Sequence, residues 1–204
     1  MQESCPGTSL RENLDRGVWP VSRHSANHYW SLTEAVQSAL SSDPTATPSQ
    51  LRILDIGAAF GDPLADFAQT LQSQFECQIE TIALDVNPNA VRGVRQRDNA
   101  EIALQGMAQQ LPLAADSVDI VIAKRLLAFL HPPDQSQSLR ELARVLAPTG
   151  VAAIEVDPTG ADSLATSYLW VLSAQTVCQL RSTTDEFRTY PFPFPSGKQP
   201  EADL

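Results

Sequence analysis

The sequence predicts a doubly wound α/β domain, in which a mostly parallel sheet carries helices on both faces. From Leu51 to about residue 180, short apolar runs rich in branched residues alternate with helical patterns. This alternation is typical of parallel strands joined by crossover helices. Two of the helical patterns begin with a polar residue followed by proline, which is a helix-start signal. The first apolar run also passes directly into a glycine-rich turn.

The first two strand–helix units are the most regular. We expect a strand over 51–56 before a helix that starts at Asp62-Pro63, and a strand over 78–85 before a helix that starts at Asn87-Pro88 and ends near Asp98. In the first helix, the apolar residues follow the i, i+3, i+4, i+7 spacing of one buried face. They are Leu64, Phe67, Ala68 and Leu71.

The following elements continue the alternation. We expect a short strand over 101–104, a strand over 118–123, a helix between His131 and Pro148, a fifth strand over 151–156 and a last helix over 161–180. The inner face of the helix after His131 consists of Leu139, Leu142, Ala143 and Leu146.

The segments outside the core, which we place at 51–180, are less regular. Residues 1–50 are expected to form a helical appendage or lid with one helix near 31–40, and 181–204 form a proline-rich tail. The tail has room for at most one short strand, near 186–190, because proline cannot donate to a sheet. The fifth strand is then expected to be an exposed edge, shielded by the tail or by a second subunit, and a homodimer through this edge is one expectation.

Composition restricts the classes of partner. The net charge is −10, with 14 basic against 24 acidic residues, so nucleic acid is an unlikely substrate and a small molecule is favoured. We interpret Arg92, Arg95 and Arg97 as the solvated face of a helix. The three cysteines are far apart and predict neither a disulfide framework nor a zinc site. No run suits a membrane span or a signal peptide, so a cytoplasmic location is expected.

Two acidic residues stand where the predicted strands end. In open parallel sheets, ligands bind beyond the carboxyl ends of the strands. Asp55 precedes the turn that runs to Gly61, and Asp85 ends the second strand. A carboxylate before the turn would repel a pyrophosphate, which argues against a nicotinamide site, and would favour a ligand that carries an ammonium group. Asp85 can accept hydrogen bonds from ribose hydroxyls, whereas Asn87 is the better cap for the next helix.

Four runs resemble the class I S-adenosylmethionine-dependent methyltransferases, in particular the small-molecule group. They are ILDIGAAFG (53–61), TIALDVNPNAV (81–91), QGMAQQLPLAADSVDIVIAKRLLAFL (105–130) and LRELARVLAPTGVAAIEVD (139–157), in the family's order and at its intervals. The resemblance implies a Rossmann-like sheet of order 3-2-1-4-5, S-adenosylmethionine as cofactor, no metal, and methyl transfer to a small organic acceptor.

The resemblance also implies which residues bind the cofactor. The turn with Asp55, Gly57, Ala59 and Gly61 would face the methionine moiety. The remaining positions are Asp85 and Val86 for the ribose and adenine face, Met107 and Ala108 for the adenine ring, and Lys124 beside the cofactor.

The chain departs from the family pattern in three places. Ala59 stands where the family has its middle glycine, and Met107 stands where an acidic residue commonly accepts a hydrogen bond from the adenine amino group. The terminal strands are also reduced. These departures leave open a second interpretation, a catalytically degenerate methyltransferase-like protein that acts as a binding or scaffolding partner.

Histidine is the candidate general base, because it titrates near neutral pH. His131 follows the fourth predicted strand and is our candidate catalytic residue, with a structural role in the turn before Pro132-Pro133 as the alternative. His24 and His28 lie near Trp19 and Trp30 in the N-terminal segment. This aromatic group would either form part of a lid or pack the first helix on the sheet.

Overall fold

The computed structural model describes residues 18–22, 36, 49–75, 77–124, 126–156, 166–173 and 177. Its strands are β1 (Val18–Ser22), β2 (Gln50–Ile56), β3 (Gln78–Asp85), β4 (Ile102–Gln105), β5 (Val118–Lys124), β6 (Leu146–Val156) and β7 (Thr166–Ser173). Its helices are α1 (Asp62–Phe75), α2 (Pro88–Arg97) and α3 (Pro132–Val145), and a single 3₁₀ turn spans Leu127–Phe129. None of the helices in these ranges has the length and apolar character needed to cross a bilayer.

The sheet confirms the predicted fold class. Within the described ranges the sheet has seven strands, in the order β1-β7-β6-β5-β2-β3-β4. The five strands from β4 to β6 in this order are parallel to one another. Numbered along the chain from β2, these five strands have the order 3-2-1-4-5. The carboxyl ends of β2 to β6 therefore share one edge of the sheet, which is where the candidate site residues lie.

Alternation along the strands sends side chains into two core layers, one on each face of the sheet. Ile53 packs with α1 and α2 on one face, and Leu54 packs with α3 on the other. The expected stripe of α1 is correct for Leu64, Phe67 and Leu71, which are buried. Each such side chain contributes about 1.5–3 kcal/mol through burial, so helix and sheet stabilise each other. Val36 is helical and buried in the same layer as α1.

The expected last helix over 161–180 is wrong for its central part, because Thr166–Ser173 form strand β7. The run TSYLWVLS is rich in β-branched and aromatic residues, which suit a strand. β7 pairs antiparallel with β6, and β1 pairs antiparallel with β7. The fifth parallel strand is therefore not an exposed edge, and the argument for a dimer through it no longer holds. The expected strand near 186–190 lies outside the described residues.

The N-terminal segment contributes to the sheet, so 18–22 are not part of a helical appendage. Pro20 lies in β1, which is the outermost strand of the sheet among the described residues. Proline is tolerated there, because an edge strand leaves alternate N–H groups without a ladder partner. A smaller difference from the prediction concerns Leu146. We expected this residue on the inner face of α3, but it is the C-cap of the helix and the first residue of β6.

Candidate active site

The turn after β2 has a backbone that ordinary residues rarely adopt. φ is +77° at Gly57 and +76° at Gly61, and Ala59 also has a positive φ, of 50°. Glycine adopts this region without steric cost, whereas a Cβ is disfavoured there. The turn is fixed by hydrogen bonds from the Gly57 N–H to the Leu84 carbonyl (2.8 Å) and from the Gly61 N–H to the Ala58 carbonyl (2.9 Å). Ala59 is therefore held in the conformation that glycine would occupy.

Asp85 joins the turn to the neighbouring loop. One carboxylate oxygen accepts a hydrogen bond from the Ala59 N–H (2.9 Å), and the other accepts one from the Asn87 N–H (2.8 Å). Asn87 caps α2 by accepting a hydrogen bond from the Asn89 N–H (2.9 Å), which confirms the predicted cap. The contact with Ala59 was not predicted. A carboxylate has about four acceptor positions, so Asp85 can still accept bonds from a ligand.

Asp55 is a buried carboxyl group, with 4% of its surface exposed. Burial raises its pKa to about 7, the positive charge of Lys124 lowers the pKa, and the negative charge of Asp85 raises it. In the sheet register Asp55 is paired with Ala83 of β3 and with Ile122 of β5, so Asp85 and Lys124, each two residues further along, lie beside it at the same edge of the sheet. A carboxyl group with this pKa is ready to ionise next to a cation.

An apolar surface lies next to these charges. Val86 follows β3 and Met107 follows β4, and their side chains are 63% and 53% exposed. The Gly106 N–H donates to the Asp85 carbonyl (3.1 Å) and the Gln105 side chain donates to the Val86 carbonyl (3.3 Å), so the two loops are joined. Ala108, by contrast, is buried in the core.

The loop after β5 is held by a residue that sequence reasoning missed. Gln135 is buried, with 2% of its surface exposed. Its side-chain amide donates to the carbonyls of Leu127 (2.9 Å) and Leu130 (3.1 Å). His131 is exposed and occupies the N-cap of α3 without a side-chain capping bond. Gln135 thus anchors the turn before α3, and a polar residue in line with the apolar stripe of that helix was the available signal. The catalytic role expected for His131, and its structural alternative, stay predictions.

The side chain of Phe60, the residue after Ala59 in the turn, is directed towards α2. Its ring packs on Gly93 of α2, and the Arg97 guanidinium lies 4.8 Å from the ring centroid. Of the three arginines interpreted as a solvated face, Arg97 also contacts Asp62 (2.7 Å) and Arg95 donates to the Ala103 carbonyl (2.7 Å). All three arginines are exposed, as expected for a solvated face, and Arg97 in addition contacts the turn while Arg95 contacts β4.

Two sequence expectations near the N-terminus have different outcomes. Trp19 lies in β1, with Leu169 of β7 as its partner in the register. His24, His28 and Trp30 lie outside the described residues, so the lid that we predicted from them stays a prediction. In the ranges that the structure describes, no three or more His, Cys, Asp or Glu side chains are grouped to hold a metal ion.

Comparisons with known proteins agree with this geometry. Residues 54–154 match the model of the methyltransferase domain. The methyltransferase GfsG of Streptomyces halstedii is 34% identical over 104 residues, which cover 50% of this chain and 36% of the relative. The glycine/sarcosine/dimethylglycine N-methyltransferase of Actinopolyspora halophila is 29% identical over 118 residues, which cover 56% of this chain and 20% of the relative. The chain thus spans about a third and a fifth of the length of these relatives.

A solved structure supports the fold. The CMeT domain of the citrinin polyketide synthase superposes with a TM-score of 0.52 at 18% identity, covering 64% of this chain and 35% of that one. The sheet order, the glycine turn and the acidic residues at the strand ends define a doubly wound α/β domain, and residues 54–154 match the methyltransferase domain. The chain belongs to the class I S-adenosylmethionine-dependent methyltransferases.

The residues present fit the family's cofactor, S-adenosylmethionine. The turn has the positive φ values that allow a backbone to approach a ligand closely. The buried Asp55 carboxyl group is placed to ionise beside a positively charged group. Val86 and Met107 offer exposed apolar surface of the kind that an adenine ring covers.

Proposed function

We propose that this chain binds S-adenosylmethionine across the carboxyl ends of β2, β3 and β4 and transfers its methyl group to a small organic acceptor. The observation that carries this proposal is the placement of Asp55, Asp85 and Lys124 at the carboxyl ends of three neighbouring strands, beside the glycine turn to which Asp85 is hydrogen-bonded. Asp55, Gly57, Ala59 and Gly61 would hold the methionine portion.

Asp85 and Val86 would hold the ribose, Met107 and the main chain at Ala108 would contact the adenine, and Lys124 would lie beside the cofactor. When bound, the cofactor supplies a methyl group that is activated by positive charge on sulfur. The protein then has to align the acceptor with that group and exclude water.

For an acceptor that carries a proton on its nucleophilic atom, the imidazole of His131 is our candidate base. His131 lies two residues after the Leu127–Phe129 turn, in the loop that follows β5 at the carboxyl edge of the sheet, and this place supports the role. A relative named for the methylation of glycine, sarcosine and dimethylglycine supports a small acceptor, and the net charge of −10 argues against nucleic acid.

Calorimetric titration with S-adenosylmethionine and S-adenosylhomocysteine tests the proposal. We expect micromolar binding by the wild type. Asp85→Asn replaces a charged acceptor of two backbone hydrogen bonds, so we expect affinity to fall by about tenfold or more. Asp66→Asn, on the exposed face of α1, is the matched control and should bind as the wild type does.

The absence of heat at millimolar ligand would contradict the proposal. That result would support the alternative that the chain is a degenerate methyltransferase-like protein with a binding or scaffolding role. Binding that Asp85→Asn and Asp66→Asn affect equally would contradict the assignment of the site to the end of β3.

A further inference from the structure

The cofactor turn is held from outside by the C-terminal half of α2. We propose that Gly93, Arg97 and Asn99, which we call the turn clamp, are positioning residues that keep the turn in its binding conformation before the ligand arrives. This inference rests on the proposed function, because it assigns the turn to the cofactor.

The first contact is the ring of Phe60 on Gly93. A Cβ placed on Gly93 would lie 2.5 Å from Cδ1 of Phe60 and 3.0 Å from Cε1, which is closer than non-bonded atoms approach. Gly93 therefore provides the space that the ring occupies. A glycine inside a helix normally costs about 0.5–1 kcal/mol relative to alanine. Its presence in α2 is explained by the ring that it accommodates.

The second contact is made by Asn99. Asp98 ends α2 in the left-handed conformation, and the chain reverses so that the side chain of Asn99 reaches the turn. Its amide donates to the Phe60 carbonyl (2.8 Å) and to the Asp62 carboxylate (2.8 Å). This hydrogen bond and the Arg97 guanidinium lower the pKa of Asp62.

The third contact is the close approach of α2 to Gly61. A Cβ on Gly61 would lie 3.2 Å from both Asn99 Cβ and Val94 Cγ2. Arg97 completes the clamp by stacking on Phe60 and pairing with Asp62. The turn is thus fixed on one side by Asp85 and on the other by α2. This second support matters because Ala59 holds a positive φ that an alanine does not prefer.

The test compares the wild-type chain with Gly93→Ala, Phe60→Ala, the double variant, and Gln96→Ala as a control on the exposed face of α2. The methyl group of Gly93→Ala displaces only a side-chain ring, so the fold is retained. We expect the ligand-free amides of Ala59 and Gly61 to exchange with deuterium about tenfold faster. We also expect the dissociation constant for S-adenosylmethionine to rise about twofold, because affinity falls with the fraction of turns in the binding conformation and a tenfold rise in the open fraction, from about 5% to about 50%, halves that fraction.

The double variant decides whether the effect passes through the ring. With Phe60 already replaced by alanine, Gly93→Ala should change neither exchange nor affinity further. The proposal would be overturned if Gly93→Ala had the same effect in the wild type and in Phe60→Ala. It would also be overturned if the amides of Ala59 and Gly61 exchanged at the same rate in Gly93→Ala and in Gln96→Ala. The two proposals can fail separately. If Gly93→Ala speeds exchange but the wild type binds no S-adenosylmethionine, the proposed function is refuted and the role of the clamp in holding the turn remains.

Discussion

The carboxylate of Asp85 accepts a hydrogen bond from the backbone N–H of Ala59 over 2.9 Å. The acidic residue at the end of β3 therefore has a structural partner in the turn after β2. Ala59 departs from the family's glycine, yet its φ of 50° shows that the turn keeps the glycine-like shape. Alanine is strained in this conformation, and the hydrogen bond from the Ala59 N–H to Asp85 offsets the strain. The turn therefore remains available for binding a ligand.

Ala59→Gly should stabilise the protein. The left-handed conformation costs an alanine about 1–2 kcal/mol. Glycine lowers the free energy of unfolding by about 0.4–1 kcal/mol, because it gives the unfolded chain more conformational freedom. The expected net gain in the free energy of unfolding is about 0.5–1 kcal/mol, measured by urea denaturation. Ala65→Gly, inside α1, is the control and should lose about 0.5–1 kcal/mol. A loss at both positions would show that Ala59 is not strained.

The stability of the ligand-free protein should depend on pH through Asp55. Its folded pKa of about 7 lies above the ordinary value, so between about pH 4 and 7 the unfolded state loses this proton while the folded state keeps it. Stability should therefore fall as the pH rises through this window and level off above it. The total effect is at most about 4 kcal/mol. Asp55→Asn should lack this pH dependence. Unfolding free energies that fall equally with pH in the wild type and in Asp55→Asn would show that Asp55 is not its source.

Met107→Asp should tighten binding of S-adenosylmethionine. Aspartate would restore a charged acceptor at the end of β4, and such hydrogen bonds contribute about 1.5–3 kcal/mol. We expect the dissociation constant to fall by about tenfold or more. Met107→Leu, which keeps apolar contact without an acceptor, should leave it within about threefold. Equal affinities in the two variants would place the adenine away from residue 107.

Gln135→Ala should destabilise the protein by about 1–3 kcal/mol, because it removes the donor for two carbonyls beneath the loop after β5. Thermal unfolding measures this loss. Gln137→Ala is the control on the same helix, since the side chain of Gln137 makes only a long hydrogen bond to the Gln109 carbonyl (3.4 Å) and an exposed one from Arg140 (3.1 Å). Similar melting temperatures for the two variants would mean that the loop does not depend on Gln135.

The sequence predicted those features that depend on local chemistry. The Asn87-Pro88 helix start and the strand ending at Asp85 are local signals. The strand Thr166–Ser173 was missed because its pairing with β6 depends on residues far along the chain, and an apolar run alone does not separate helix from strand. The Ala59–Asp85 bond spans 26 residues, and the direction of Phe60 depends on a glycine in the next helix. Contacts between residues so far apart in the sequence cannot be predicted from local patterns.

Amide chemical shifts during a titration of ¹⁵N-labelled protein with S-adenosylmethionine test the central claim most directly, because they locate the ligand without requiring an acceptor. The proposed site predicts saturable shifts at Gly57, Ala59, Gly61, Val86 and Met107. Shifts confined to the cavity beside α1 that Thr81, Asn99 and Glu101 line, or none at millimolar ligand, would contradict it.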